Sequence, residues 1–480
     1  MSGKRRSYQV STYCHSANYN VGLKQLQQQR VSSPSFLPSG TGNLIPFFRI
    51  AVMFASRNCK VTFINIKPQA PAPEFTSFSR FSANHPRIEI LDFEMDFHTP
   101  LDSTIRDPFI IHFQNITRSL NQLKPILSSL PVKAIFSDFA IAVKLAQISA
   151  DLDIPYYIVS TSSAKFFALI AYLPVLMTED PNVFSNPLGD VKIQEVAPIQ
   201  KSSIPPSWMD DSTNYLLPVF LLPNAGSLPK VKGVLLSTFN WFEPETIAAL
   251  NSGRVLNRLP PLFPIGPLPS YEPQESDHLP WLNQQPAESV VYVNFGRREV
   301  MSTDQIRELR KGLEICGYNY LWVNKGNEDV HDSREFHEFS GDSSPEGSKS
   351  RGKIIRGWVD QEKLLAHPAI GGFVNECEWD SVMEAAWNGV PMLAWPQHGD
   401  QKMNAETVKK AGLGIWIEDW GWGGEKLVDG KDIGQLLAQI MEDLNVKKAA
   451  KNVREKAREA CEVGGSSEKV LAEVIAILTS

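Results

Sequence analysis

Trp358, Val359, Asp360 and Gln361 open the most informative stretch of this 480-residue chain. His367 and Gly371 follow, then the run Asn375, Glu376, Cys377, Glu378, Trp379, Asp380 and Ser381. The stretch closes with Glu384, Gly389, Val390, Pro391, Trp395, Pro396, Asp400 and Gln401. Within it, residues 370–374 and 392–395 are short apolar runs that read as strands. Between them Ser381 and Glu384 have the spacing of a capping box, which predicts a helix beginning at Ser381. Strand, helix and strand in so few residues make a parallel βαβ unit. The start of such a helix points free N–H groups at any anion bound beside it.

The same alternation extends in both directions. Residues 60–66, 132–136, 155–159 and 233–237 read as strands, with helices over 44–55 and 140–150. Pro260, Pro261, Pro264, Pro267, Pro269, Pro273 and Pro280 then interrupt the pattern. Prolines lack a backbone donor and hold extended geometry, so this run reads as a linker. A second series follows, with strands over 290–295, 320–323 and 353–356 and a helix opened by Ser302 and Gln305. Residues 326–353 are rich in Asp, Glu, Ser and Gly and read as an exposed loop, and 468–478 as a closing amphipathic helix. The expected class is α/β: two Rossmann-like, doubly wound domains facing a cleft. Residues 31–262 form the first domain, 263–280 the linker, 281–455 the second domain, and 456–480 a C-terminal helix returning toward the first. Ligands of such folds bind at the carboxyl ends of the strands. That placement alone suits a sugar-nucleotide enzyme, a dehydrogenase or a two-lobed binding protein.

Composition narrows the classes. A net charge of −6 with 21% charged residues offers no basic stripe for nucleic acid. The apolar run near 166–173 ends at Pro174 and is too short to span a bilayer. The five cysteines are dispersed without a CxxC pair, which excludes a zinc ribbon or disulfide framework and fits a reducing, cytoplasmic setting. No metal site is expected. Residues 1–30 are basic and contain no acid, a transit-peptide-like composition without an amphipathic pattern; a disordered extension is expected there. No GxGxxG stands between a strand and a helix, which sets the dehydrogenase aside.

The spacing over 358–401 resembles, without a gap, the donor-binding box of plant UDP-sugar-dependent glycosyltransferases, a family of GT-B fold. Trp281, Gln285, Ser289 and Val290 through Gly296 are similar to the strand that opens its donor domain. Pro38 and Gly42 through Pro46 are similar to its first acceptor-domain loop. Asp360, together with Trp416, Trp420, Trp422 and Glu425, is closer to the flavonoid C-glycosyltransferase branch. The resemblance implies inverting transfer of a sugar, glucose being expected, from UDP-sugar to a small hydrophobic or phenolic acceptor by a monomer. UDP-sugar is then a co-substrate, and no cofactor is implied. Trp358 would stack on uracil and Gln361 would read its amide edge. Glu384 would accept from the ribose hydroxyls, its other reading being the capping box. Glu376, Trp379, Asp380 and Ser381 would surround the diphosphate, and Asp400 and Gln401 would hold sugar hydroxyls. Trp387 and Trp395 read as core and His367 as structural. Phe166, Phe167 and Tyr172 fit equally an acceptor wall or the core. Asp138 matches the aspartate that orients the family's base histidine; its other reading is a helix N-cap.

Four positions depart from the family pattern. Asn43 replaces the base histidine and cannot take a proton, a loss worth roughly 100- to 10,000-fold in rate. Glu376, Glu378 and Asp380 replace histidine, glycine and asparagine at the diphosphate. Each like-charge contact at ~5 Å costs roughly 3 kcal/mol at an effective dielectric near 20. Arg297, with Arg298 beside it, replaces a small hydroxyl residue; it would offset part of that repulsion, its other reading being a solvated arginine at a loop edge. A non-catalytic relative is therefore the alternative expectation.

Overall fold

The computed structural model describes residues 34–38, 44–67, 73–96, 108–184, 189–208, 216–270, 280–296, 301–324, 351–357 and 359–479. The expected extension over 1–30, most of the expected loop over 326–353, and Asn43, Arg297 and Trp358 lie outside these residues.

Two parallel sheets carry the fold. The first contains β1 (Pro34–Leu37), β2 (Thr62–Lys67), β3 (Glu89–Glu94), β4 (Ala134–Asp138), β5 (Tyr156–Ser160), β6 (Gly233–Leu236) and β7 (Leu262–Pro264), in the order β3-β2-β1-β4-β5-β6-β7. The second contains β8 (Val290–Asn294), β9 (Asn319–Asn324), β10 (Gly352–Arg356), β11 (Ile370–Asn375), β12 (Met392–Ala394) and β13 (Gly414–Trp416), in the order β10-β9-β8-β11-β12-β13. Helices cover both faces, so central strands such as β4, β5 and β8 are buried along their whole length. Each sheet reverses its strand order once, between β1 and β4 and between β8 and β11. Those reversals open the crevices in which doubly wound sheets bind ligands.

Cross-strand aromatic stacking fixes the first sheet. Phe36 lies opposite Phe136, and Phe136 opposite Tyr157. Their ring centroids are 4.9 and 5.0 Å apart, and the rings stack in nearly parallel planes. Phe47 and Phe54 of the Leu44–Ala55 helix close over Phe36 edge-on. Leu471, Val474 and Leu478 of the Ser466–Thr479 helix join this same core. Ser467 Oγ donates to the carbonyl of Gly266 at 2.6 Å, which anchors that helix where it crosses back.

The two halves share side chains. Phe239 and Phe242, which follow β6, pack in the core of the second sheet with Trp379. Trp379 is only 1% exposed, and its indole N–H donates to the carbonyl of Ser237 at 2.7 Å. In return, Met403 of the Gln401–Ala411 helix packs into the core of the first half. Lys165 pairs with Glu406 at 2.6 and 2.7 Å, and Lys402 donates to the carbonyl of Ser202 at 3.0 Å.

Helices match the expected 44–55 and 468–478 closely, but two readings need correction. β7 lies inside the proline run: a sheet-edge strand tolerates Pro264, whose missing N–H faces no partner strand. The helix expected to begin at Ser381 begins at Trp379, with Glu378 at its N-cap making no side-chain cap. Ser381 and Glu384 have capping-box spacing but sit three residues too deep to cap.

Because Trp379 fills one core and is bonded to the other half, Trp379→Ala should destabilise the protein by ~3–5 kcal/mol in denaturant unfolding. A loss below about 1 kcal/mol would mean the indole is not the joint between the halves.

Candidate active site

The ends of β8 and β11 are bonded to each other at the second reversal of strand order. Asn375 Nδ2 donates to the carbonyl of Asn294 at 2.9 Å, and its Oδ1 accepts from the N–H of Cys377 at 2.7 Å. Cys377 takes a left-handed conformation (φ 71°), which turns the chain sharply from β11 into the Trp379–Asn388 helix. Glu376 is buried inside this turn; Asn375 Nδ2 donates to its carboxylate at 2.6 Å. Its other oxygen would have to shift to admit a side chain on Gly296, where a Cβ would stand 2.5 Å away.

Gln361 is at the centre of the cluster. Asp360 caps its helix, Gln361–Leu365, by accepting from the N–H of Lys363. Gln361 Oε1 accepts from Asn294 Nδ2 at 2.5 Å and from the Tyr292 hydroxyl at 3.2 Å. Its Nε2 donates to Ser381 Oγ at 2.8 Å and to Glu384 Oε2 at 3.0 Å. The other oxygen of Glu384 accepts from Arg49 Nη2 at 2.8 Å, and the same nitrogen reaches Glu362 at 3.0 Å. Arg49 belongs to the first half, in a helix that is otherwise uncharged.

The family model described as UDP-glucoronosyl and UDP-glucosyl transferase matches residues 265–449. UDP-glycosyltransferase 708C1 of Fagopyrum esculentum is 40% identical over 446 residues, 92% of this chain and 94% of that protein. The chain belongs to the UDP-glycosyltransferase family. UDP-glycosyltransferase 708G2 of Citrus unshiu is 37% identical over 92% of this chain and 95% of its own length. Among solved structures, LpCGTa in complex with UDP superposes with a TM-score of 0.80 at 34% identity, covering 94% of this chain and all of that one. UGT71G1 of Medicago truncatula complexed with UDP-glucose gives 0.78 at 26% identity, with 94% and 99% covered. The architecture is accordingly GT-B, two Rossmann-like domains facing a cleft.

In this UDP-glycosyltransferase the expected donor-site residues divide into two groups. Gln361, Glu376, Asp380, Ser381, Glu384 and Asp400 gather at the carboxyl ends of the second sheet. Trp379 and Gln401 belong to the scaffold instead. The Trp379 ring is enclosed, which leaves only its backbone to face a ligand. Gln401 is fully buried; its Oε1 accepts from the N–H groups of Gln397 and His398 at 2.8 and 2.9 Å. It holds the loop after β12 and cannot offer that oxygen to a sugar. Gln361 likewise spends all four of its hydrogen-bonding directions on protein partners. His367 is structural in geometry: Nδ1 accepts from the N–H of Ala369, and Nε2 lies 2.9 Å from Asn283 Oδ1. Trp395 is buried against Phe295 and Trp420. In the first half, Phe167 is core, whereas Phe166 and Tyr172 are only partly buried. Asp138 ends β4 and accepts from the N–H of Ala140 at 2.8 Å, so it does cap a helical turn. The register of β1 against β4 pairs Leu37 with Ser137, the residue before Asp138.

Arg49, Tyr292, Asn294 and Glu362 were not singled out from sequence. Arg49 alone carried a signal, being the lone charge in an apolar helix.

Burial changes the charge expected of the replaced positions. Desolvation, reinforced by the neighbouring carboxylates and opposed by Arg49, pushes Asp380 well above the ordinary carboxyl range. Burial thus favours the protonated form of Asp380, in which it can donate a hydrogen bond. Desolvation and the charge of Glu378 raise Asp400 to about 7. The site is less negative than a count of its carboxylates suggests. Among the described residues no group of three or more His, Cys, Asp or Glu side chains is arranged to hold a metal.

The Asp400 proton has a consequence for stability. The folded protein keeps it up to about pH 7, whereas an unfolded chain releases it near 3.8. This contribution is present in acid and is lost as pH rises through about 7. Thermal midpoints should fall from pH 5 to pH 8 in the wild type more than in Asp400→Asn. Parallel curves would show that Asp400 titrates elsewhere.

Proposed function

We propose that this UDP-glycosyltransferase moves a sugar, glucose first among candidates, from UDP-sugar to a small phenolic, flavonoid-like acceptor with inversion. The observation that carries this reading is the Gln361–Ser381–Glu384 cluster at the second strand reversal. Each oxygen of Glu384 already accepts one bond and keeps a second lone-pair direction for the ribose hydroxyls. The Trp379–Asn388 helix opens between Glu376 and Asp400, where its first N–H groups favour a diphosphate. Trp358 stacks on uracil, Arg297 faces the phosphates, and Asp400 meets the sugar hydroxyls in this proposal. The named ligands of the similar structures, UDP and UDP-glucose, support the donor class.

The acceptor nucleophile attacks the anomeric carbon, the bond from that carbon to the phosphate oxygen breaks, and UDP leaves with the electron pair. The acceptor proton has no histidine to receive it, because Asn43 occupies that position. Acceptors whose nucleophile is already ionised near neutral pH are therefore favoured, and Asp138 is the carboxylate assigned to the acceptor side in this proposal. No described helix is long and apolar enough to cross a membrane, and we propose a cytoplasmic monomer. A second reading, a catalytically impaired or inactive relative, is favoured by Asn43 together with Glu376, Glu378 and Asp380.

Calorimetric titration with UDP and UDP-glucose tests the donor site; the expected result is micromolar binding. No heat from a folded sample would sink the enzyme reading and leave the inactive relative. If the donor binds, Asn43→His should raise the rate with a weakly acidic phenol by roughly 100- to 10,000-fold. An unchanged rate would mean that proton removal does not limit this protein.

A further inference from the structure

We propose that Arg49 is a positioning residue for the sugar-nucleotide site, reaching from the acceptor half to orient Glu384 and to balance the carboxylates beside it. This rests on the reading that Glu384 meets the ribose. Arg49 Nη2 spans Glu362 and Glu384, 3.0 and 2.8 Å away, from a side chain that is almost wholly buried. Asp380 shares its field. Ser270, on the segment leading out of the first half, adds a hydrogen bond to Glu362.

Three features point to the site rather than to packing. The helix that carries Arg49 offers an apolar surface everywhere else, and a methionine would fill the same space without desolvating a charge. Arg49 Nε is buried with no partner among the described residues, a cost that ordinary core packing does not select. Finally, Arg49 is opposed by two carboxylates and influenced by a third, all from the other half, so its contacts exist only when the halves are together. Donor affinity thereby depends on a residue that belongs to the acceptor domain. Lys165 and Glu406 make a comparable bridge between the halves away from these carboxylates, which makes Lys165 a control.

Calorimetry with UDP on the full chain separates the possibilities. Arg49→Met should weaken UDP by ~10- to 100-fold, as expected for a site that loses one balancing charge. Lys165→Met should leave UDP affinity within about twofold, since it loosens the halves without touching Glu384. Glu362→Gln, in the otherwise native chain, should tighten UDP a few-fold because it removes one competitor for Arg49. That variant also decides the matter if Arg49→Met does not fold. Native affinity in Arg49→Met, equal losses in Arg49→Met and Lys165→Met, or no tightening in Glu362→Gln would each overturn the proposal. Native protein that fails to bind UDP would instead remove the reading of the site on which it rests.

Discussion

The chain gathers more carboxylates at the ends of β8, β11 and β12 than water-excluded space can hold ionised. Much of the molecule is organised around that constraint. Arg49 crosses from the other half to meet two of the acids. Asp380 and Asp400 retain protons to higher pH, and Asn375 and Gln361 donate to Glu376 and Glu384. The position of the first half relative to the second is part of this balance, because the balancing cation and its partners belong to different halves. Trp379, bonded to Ser237 and packed on Phe242, holds the halves at the separation that Arg49 needs.

The fold was legible in the sequence because parallel strands buried on both faces are nearly continuous apolar runs, and β4, β5, β8 and β11 are of that kind. The Leu44–Ala55 helix was equally plain. The strands that sequence reading passed over are short or polar. β7 and β13 have three residues each, and β3 places acidic residues at an edge. Pairing with an already formed neighbour stabilises such segments, and that information is not local.

The site was legible to a different degree. Fixed spacing brought Gln361, Ser381, Glu384 and Asp400 to attention, and the fold places them at one crevice. Spacing could not tell which members of the stretch face a ligand and which hold the loop. Trp379 and Gln401 proved to be enclosed, since a ring and an amide with so many partners serve the scaffold better than the cleft. Nor could a count of acidic residues give their charge, which depends on burial and on an arginine more than 300 positions away.

The Ser466–Thr479 helix completes the aromatic core of the first sheet with Leu471, Val474 and Leu478. During synthesis the strands of that sheet leave the ribosome with this face still open. At ~5–20 residues per second, about 10 to 40 seconds separate the last of those strands from the helix that covers them. For that interval the apolar residues around β7 lack that cover, and the nascent first half is a natural client for chaperones that hold apolar surface.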